Sequence, residues 1–373
     1  MNLDLNDAQR ALRDRARDFA AARLAPHADA FERDERIPRD VLSDMAALGL
    51  MGVNLPSDLG GAGAGVVAYA CAMREVARGC ASTAVTMAVT NMVGEVIERF
   101  GTDAQRARYV PRLARGEYAA GAFALSEPEA GSDPGAMRTT ATREGGQWVL
   151  RGAKQWISSG PIAGVFVVWA RTGGPGTAGI SCFLVEAGTP GLRVGRHEDK
   201  MGLRASFTVP LEFDDVRVPE DALLGVEGGG FRIAMMALDG GRVGIASQAV
   251  GIATAALDVG FDALARGALR GEGARRALSD AAAEVRAAWL LALRAAWRKE
   301  RGLTFSQEAS VAKLYASECA WRTCNRVSDA VGPAASTEAL TLQRHLRDSR
   351  VTMIYEGTSE IQRLVIARSL LKG

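Results

Sequence analysis

The run FRIAMMALDGGRVGIASQAVGIATAALDVGFDALA, Phe231–Ala265, is long, mostly apolar and free of proline. A helix that is apolar on nearly every side belongs inside a bundle. One segment breaks the pattern. LDGGR, Leu238–Arg242, puts two opposite charges into that apolar helix. Burying them is costly unless each finds a partner. Asp239 and Arg242 are one helical turn apart, so either they pair with each other or they meet a polar ligand threading between helices.

Downstream the helical period persists to the end of the chain. LSDAAAEVRAAWLLALRAAWRKE (Leu278–Glu300) reads as a second helix, and a third is expected from Thr304, with Gln307 completing a capping box. QRHLRDSRVTM then leads into VTMIYEGTSEIQ (Val351–Gln362), where Ser359 and Gln362 suggest another box opening the last helix.

Upstream, GVEGGG (Gly225–Gly230) marks the change of texture. Before it, GQWVLRGAKQWIS, GVFVVWA, GISCFLVE and FTVPLEFDDVRV are β-branched and aromatic runs separated by Gly, Pro and Asp, which is strand-and-turn composition. EGGQW reads as a hairpin turn. Before about Tyr118 the pattern is helical again. Leu5, Leu12 and Phe19 form a stripe ending at Pro26, and Pro38 opens a short helix closed by Gly49. Helical periods also cover VVAYACAMREVAR, TAVTMAVTNMVGEVIERFG and the residues after Thr102. The chain is therefore read as α+β and multidomain: all-α over 1–118, β over 119–227, and a helical bundle over 228–373.

At 373 residues the chain fits two or three packed units, and 48% hydrophobic content reads as globular. A formal net charge of +2 gives no argument for nucleic acid or an acidic membrane surface. Five cysteines without a CxxC pair point to a reducing, cytoplasmic setting, and three widely spaced histidines predict no metal site. The charged N-terminus lacks the apolar core of a signal peptide, and no later run looks long and uncharged enough to span a bilayer. GAGVVA, with Gly63, Gly65 and Ala68, fits the G-x-G-x-x-A dinucleotide pattern. No βαβ alternation surrounds it, so a plain loop before a helix is the preferred reading.

Four segments carry chemistry-bearing residues. FALSEPEAGSDPGAM (Phe123–Met137) offers hydroxyls and backbone N–H groups in a tight turn, either a polar β-turn or a seat for a flat polar ring edge. KQWISSG (Lys154–Gly160) offers an indole followed by hydroxyls, either a half-buried tryptophan or a stacking platform. LDGGR is the third. In the fourth, Glu356 lies between an apolar run and Gly357, either as a solvated loop acid or as a base held over something that must lose a proton.

The order and spacing of these segments, together with MGLRAS (Met201–Ser206), FDDVRVP, RDSRVTMIYEGTSEIQRLVIAR and the loop LPSDLGGAG, make the chain resemble the acyl-CoA dehydrogenases from about residue 5 to 372. LDGGRVGIASQAVGIA is most similar to their short-chain and branched-chain members. The resemblance implies an N-terminal helical domain, a middle β-barrel domain and a C-terminal four-helix bundle. It also implies FAD as cofactor and α,β-dehydrogenation of an acyl thioester, on CoA or an acyl carrier protein. Phe123, Leu125, Ser126, Gly131 and Ser132 would line the flavin, with Trp156, Ile157 and Ser158 against its ring and Thr358 and Glu360 approaching it. Ser132, Leu238, Asp239, Arg242, Tyr355 and Gly357 would face the substrate and its pantetheine arm. Glu356 falls where most of the family keeps its base. Relatives that move the base to the helix near residue 241 have no counterpart here, because that position is Gly241. Gly357 would let the chain turn so that the carboxylate points inward. An electron-transfer flavoprotein and assembly into a homodimer or homotetramer are further implications.

Two departures from the family pattern stand out. The segment GFDALARGALRGEGARRALSD lacks the usual Arg-x-x-Phe-Gly, leaving Arg266 or Arg270 as stand-ins, and DAVGPAA replaces a Gln- and Gly-rich loop. There Asp329 is unfavourable near a pyrophosphate and Pro333 removes an N–H donor, beside Val331, Gly332 and Ala335. Both segments would contact the adenine half of FAD. A heteromeric, flavin-poor partner or scaffold subunit is therefore an alternative, as is a flavin-dependent oxidase or oxygenase relative.

Overall fold

The computed structural model describes residues 4–332 and 336–371. Three layers follow one another along the chain. The first is helical: α1 (Asp7–Phe19), α2 (Ala28–Arg33), α3 (Arg39–Ala47), α4 (Gly65–Gly79), α5 (Ala81–Phe100) and α6 (Asp103–Ala114). Asn6 caps α1 and Thr102 caps α6, each with a reciprocal glutamine three residues on. The stripe through Leu12 and Phe19 faces the core, as periodicity requires. It does not stop at Pro26. One π-turn (Ala20–Leu24) and one 3-10 turn (Ala25–His27) carry the chain past the proline into α2, because Pro26 sits in the first turn of a new segment, where its missing N–H costs nothing.

The middle layer is one seven-stranded sheet: β1 (Ala120–Ala124), β2 (Thr140–Glu144), β3 (Gln147–Ser158), β4 (Ala163–Arg171), β5 (Ile180–Glu186), β6 (Leu192–Val194) and β7 (Thr208–Pro219), ordered β1-β4-β2-β3-β7-β6 with β5 on β4. The β2–β3 hairpin turns through Gly145 and Gly146, both at positive φ, as EGGQW predicts. Trp148, Phe166, Phe183, Val209 and Val216 fill the interior on one face. The other face carries Val165, Val167 and Trp169 into the core shared with the helices, where the Trp169 indole donates to the carbonyl of Gly230 at 2.7 Å.

The third layer is α7 (Gly230–Ala265), α8 (Glu272–Glu300), α9 (Ser306–Val331) and α10 (Ser336–Val351), packed together as a bundle, with α11 (Ser359–Leu371) against α9. By length and composition α7 is apolar enough to cross a membrane, contrary to the reading that no such run exists. Here it is the central helix, with most of its apolar stretch buried in the protein. The expected capping box at Thr304 is absent. α9 starts two residues later with no side-chain cap, and Gln307 instead accepts from Ser369 of α11 at 3.1 Å.

Candidate active site

Between α10 and α11 the chain turns sharply. Glu356 (φ 56°) and Gly357 (φ 92°) are consecutive left-handed residues. That conformation is free for glycine and costs roughly 1–3 kcal/mol for glutamate, so its surroundings must hold it. At that φ a side chain on residue 357 would be strained, and its Cβ would lie 2.6 Å from Gln362 Nε2. The Gly357 carbonyl accepts from Lys313 Nζ of α9 at 2.6 Å and from Gln362 Nε2 at 2.8 Å. Ser359 N–H donates to the Met353 carbonyl at 2.9 Å. The box expected from Ser359 and Gln362 does not form. Thr358 caps α11 by accepting from Ile361 N–H at 3.3 Å, and Gln362 folds back onto the turn.

This turn aims the Glu356 side chain at α7. A β-carbon placed on Gly241 would lie 2.8 Å from Glu356 Cδ. Glu356 Oε2 is buried and finds no hydrogen-bond partner among the described residues. Burial raises its pKa to about 7, although the cations Arg242 and Lys313 pull the other way. Tyr355 donates its hydroxyl to Gln248 of α7.

Arg242 and Asp239 do pair, Nη1 to Oδ1 at 2.6 Å, and Arg242 reaches Ser310 Oγ at 3.2 Å. Ser306 Oγ also donates to Asp239, at 2.9 Å. Burial pushes Asp239 above its usual range while Arg242 and Ser306 hold it back. Arg242 Nε stays buried without an acceptor, a donor left over after the internal pair is made.

The second group sits on the sheet. Phe123 leans on Trp169 with ring centroids 4.3 Å apart, and Leu125 is buried. The loop from Ser126 is locked to β3 by a buried ion pair, Lys154 Nζ to Glu127 Oε1 at 2.8 Å. Lys154 also donates to the Leu125 carbonyl at 3.1 Å, and Glu127 accepts from the backbone N–H groups of Arg138 (2.6 Å) and Thr139 (3.0 Å). Burial pulls Lys154 down to about 8. It pushes Glu127 up, but Lys154 and the N–H donors outweigh that and keep Glu127 below the usual carboxylate range. Gln155 N–H donates to the Ser126 carbonyl at 2.9 Å, and Gly131 and Ser132 are exposed.

Beyond Lys154 the register of β3 slips before Ile157. This bulge holds Trp156 at φ 63°, and the residue is 59% exposed. Ile157 points the other way, into the sheet interior, so only its backbone faces outward. Ser158 is half-buried, and the Oγ of Ser159, itself at φ 64°, is buried without a partner.

The structure thus gathers Asp239, Arg242, Tyr355, Glu356, Gly357 and Thr358 at one junction of α7, α9 and α11. It gathers Phe123, Leu125, Ser126 and Trp156–Ser158 at another. Leu238 packs on the hydrophobic core that includes Leu125 and Tyr355, while Glu360 is exposed on the first turn of α11. No hydrogen bond or ion pair among the described residues links the two groups. Sequence reasoning missed Lys154, Glu127 and Lys313 as fixtures of these sites. A lone lysine within a strand-like run, or one with alanines a helical turn away on either side, was the available signal.

The N-terminus of α4, where the dinucleotide pattern falls, is closed by an internal carboxylate: Val67 N–H donates to Glu300 Oε2 at 2.8 Å. In the two segments that depart from the family pattern, Arg266 and Arg270 lie in the turn between α7 and α8, with Arg270 Nε donating to the Gly267 carbonyl at 3.0 Å. Asp329 is exposed near the end of α9, Val331 is buried and Gly332 takes a left-handed φ of 56°, while Pro333 and Ala335 lie outside the described residues.

Comparison with known proteins gives one family throughout. The acyl-CoA dehydrogenase N-terminal, middle and C-terminal domain models match residues 6–117, 122–216 and 228–371. The short-chain specific acyl-CoA dehydrogenase of Bos taurus mitochondria is 44% identical over 381 residues, covering 100% of this chain and 92% of that protein. Two solved structures align over the full length of both chains at 35% identity. One, described under the electron transferring flavoprotein of Acidaminococcus fermentans, has a TM-score of 0.96. The other, butyryl-CoA dehydrogenase from Megasphaera elsdenii, has a TM-score of 0.95.

Proposed function

The chain belongs to the acyl-CoA dehydrogenase family, and from that premise we propose that it removes two hydrogens across the α–β bond of a short or branched acyl thioester, with Glu356 as the base. It is an oxidoreductase of CH–CH groups that uses FAD. The residues fit that cofactor. Trp156 offers an exposed indole at a strained bulge, and Ser126, Ser158 and the unpartnered Ser159 hydroxyl offer hydrogen bonds to a ring edge. When bound, FAD supplies at N5 the acceptor for the β-hydride.

The chain's own part is to bind, orient and take a proton. Glu356 Oε2, buried and unpartnered, receives the α-proton as that C–H bond breaks and its electrons form the new double bond. Among the described residues no acceptor meets the Glu356 backbone N–H, which leaves it available to the thioester oxygen as negative charge develops there. Arg242, with its spare Nε–H, and Asp239 hold polar groups of the substrate, Leu238 and Tyr355 flank the acyl chain, and Ser132 faces the pantetheine arm. Thr358 and Glu360 approach the flavin. The observation that carries the reading is a carboxylate oxygen buried without a partner and poised near neutrality.

In this reading the thioester is carried on CoA or an acyl carrier protein, an electron-transfer flavoprotein takes the electrons, and the protein works in the cytoplasm as a homo-oligomer. The test is anaerobic addition of butyryl-CoA, or the same acyl group on a carrier protein, to the flavin-loaded protein. Bleaching of the flavin band by one of them is the expected result and selects the carrier. A colourless protein that refuses added FAD would instead favour the scaffold alternative.

A further inference from the structure

Lys313 lies in SVAKLYAS on α9 and is 0% exposed. Among the described residues no carboxylate comes within ion-pair distance of it. A buried ammonium without a contacting anion is costly, and an apolar side chain would fill the same space more cheaply. Its hydrogen bond goes to the Gly357 carbonyl at 2.6 Å, the residue after Glu356.

The charges around it are few. Glu356 faces it from the turn, Arg242 from α7, Glu360 from the first turn of α11, and Glu318 from α9 itself. α8 and α10 also pack on α9, but their Glu284 and Asp348 act further along, at Cys319 and Cys324. Glu356 is thus the largest charge favouring the ammonium, and Lys313, with Arg242, favours the Glu356 carboxylate. Burial works against both charges, lowering Lys313 to about 7 and raising Glu356 to about 7.

We propose that Lys313 is a positioning residue for Glu356: it pins the Gly357 carbonyl, so fixing the left-handed Glu356–Gly357 pair, and its charge favours the ionised carboxylate. This rests on the reading of Glu356 as the base. A purely structural lysine would change the rate evenly at all pH values. A lysine acting through Glu356 moves the acid limb of the pH profile, because losing a nearby cation makes the carboxylate easier to protonate.

The experiment uses flavin-loaded protein and subsaturating butyryl-CoA, with the second-order rate of flavin reduction followed from pH 5.5 to 9. In Lys313→Met the acid limb is expected to move up by about one pH unit, with a roughly tenfold loss below it and partial recovery above it. Lys313→Arg is expected to keep the limb in place. A folded Lys313→Met enzyme with an unmoved limb overturns the proposal. If that variant does not fold, Lys313→Gln keeps a hydrogen-bond donor without the charge, and an unmoved limb there has the same force. Failure of both to fold, with Lys313→Leu folding normally and showing an unmoved limb, also overturns it. Glu356→Gln, run in parallel, separates the two claims: native reduction by it removes the base reading itself, whatever the Lys313 variants do.

Discussion

Glu356 and Gly241 face each other so closely that a β-carbon on Gly241 would sit 2.8 Å from the glutamate Cδ and 3.1 Å from Oε1. The carboxylate occupies the volume that any side chain at 241 would need. A side chain at 241 and the Glu356 carboxylate compete for one space.

Gly241→Ala follows directly. Alanine favours the helix by roughly 1 kcal/mol over glycine, so the fold and flavin content should survive. The methyl group must push the carboxylate aside, and a misplacement of about 1 Å can cost on the order of 100-fold in rate. Stopped-flow reduction by butyryl-CoA should show that loss. A native rate would mean that the carboxylate does not act from its present position.

Glu356→Gln keeps the shape and removes the basicity. Flavin and thioester should still bind, seen as a perturbed flavin spectrum, while reduction falls by about 100-fold or more. Unchanged reduction would take Glu356 out of the mechanism.

The pH dependence has a defined sign. Burial lifts Glu356 to about 7, and in its proposed role as base it must be ionised, so the second-order rate should fall about tenfold per pH unit below 7 and level off above it. Stability runs the other way. A carboxylate raised in the folded state contributes most below its ordinary value of 4.5, and that contribution is lost as pH rises through 7. At pH 8 the ionised group costs the fold up to about 3 kcal/mol. Thermal melts at pH 8 should therefore find Glu356→Gln at least as stable as the native protein. A clear loss of stability there would contradict a buried, reluctant carboxylate.

Much of this was legible in the sequence because it depends on local pattern. The apolar run of α7, the hairpin glycines at 145 and 146, and the Asp239–Arg242 spacing each follow from the identity of nearby residues. What stayed hidden depends on long-range closure. Gln307 and Gln362 have the spacing of capping boxes, yet tertiary partners claim both: Ser369 takes one and the Gly357 carbonyl the other. Lys154 and Glu127 are 27 residues apart, and nothing local announces that they meet. The left-handed φ of Trp156 and Glu356 is equally invisible, because neither residue type favours it and only the surrounding packing enforces it.

Lys154→Met tests that closure. It leaves Glu127 buried, still accepting from two backbone N–H groups but without its counter-ion. Breaking a buried pair by removing one partner costs roughly 3–5 kcal/mol, whereas removing both charges costs much less. Lys154→Met combined with Glu127→Gln should therefore recover part of the loss: the glutamine oxygen still accepts from the Thr139 N–H, while its NH2 cannot accept from the Arg138 N–H. The pair also ties the Phe123–Ser132 loop to the strand that carries Trp156, so the single variant should release FAD more readily as well as melt earlier. Flavin retention on a desalting column, read beside a thermal melt, checks both effects. A variant that melts like the native protein and keeps its flavin would show that the loop stays seated without this ion pair.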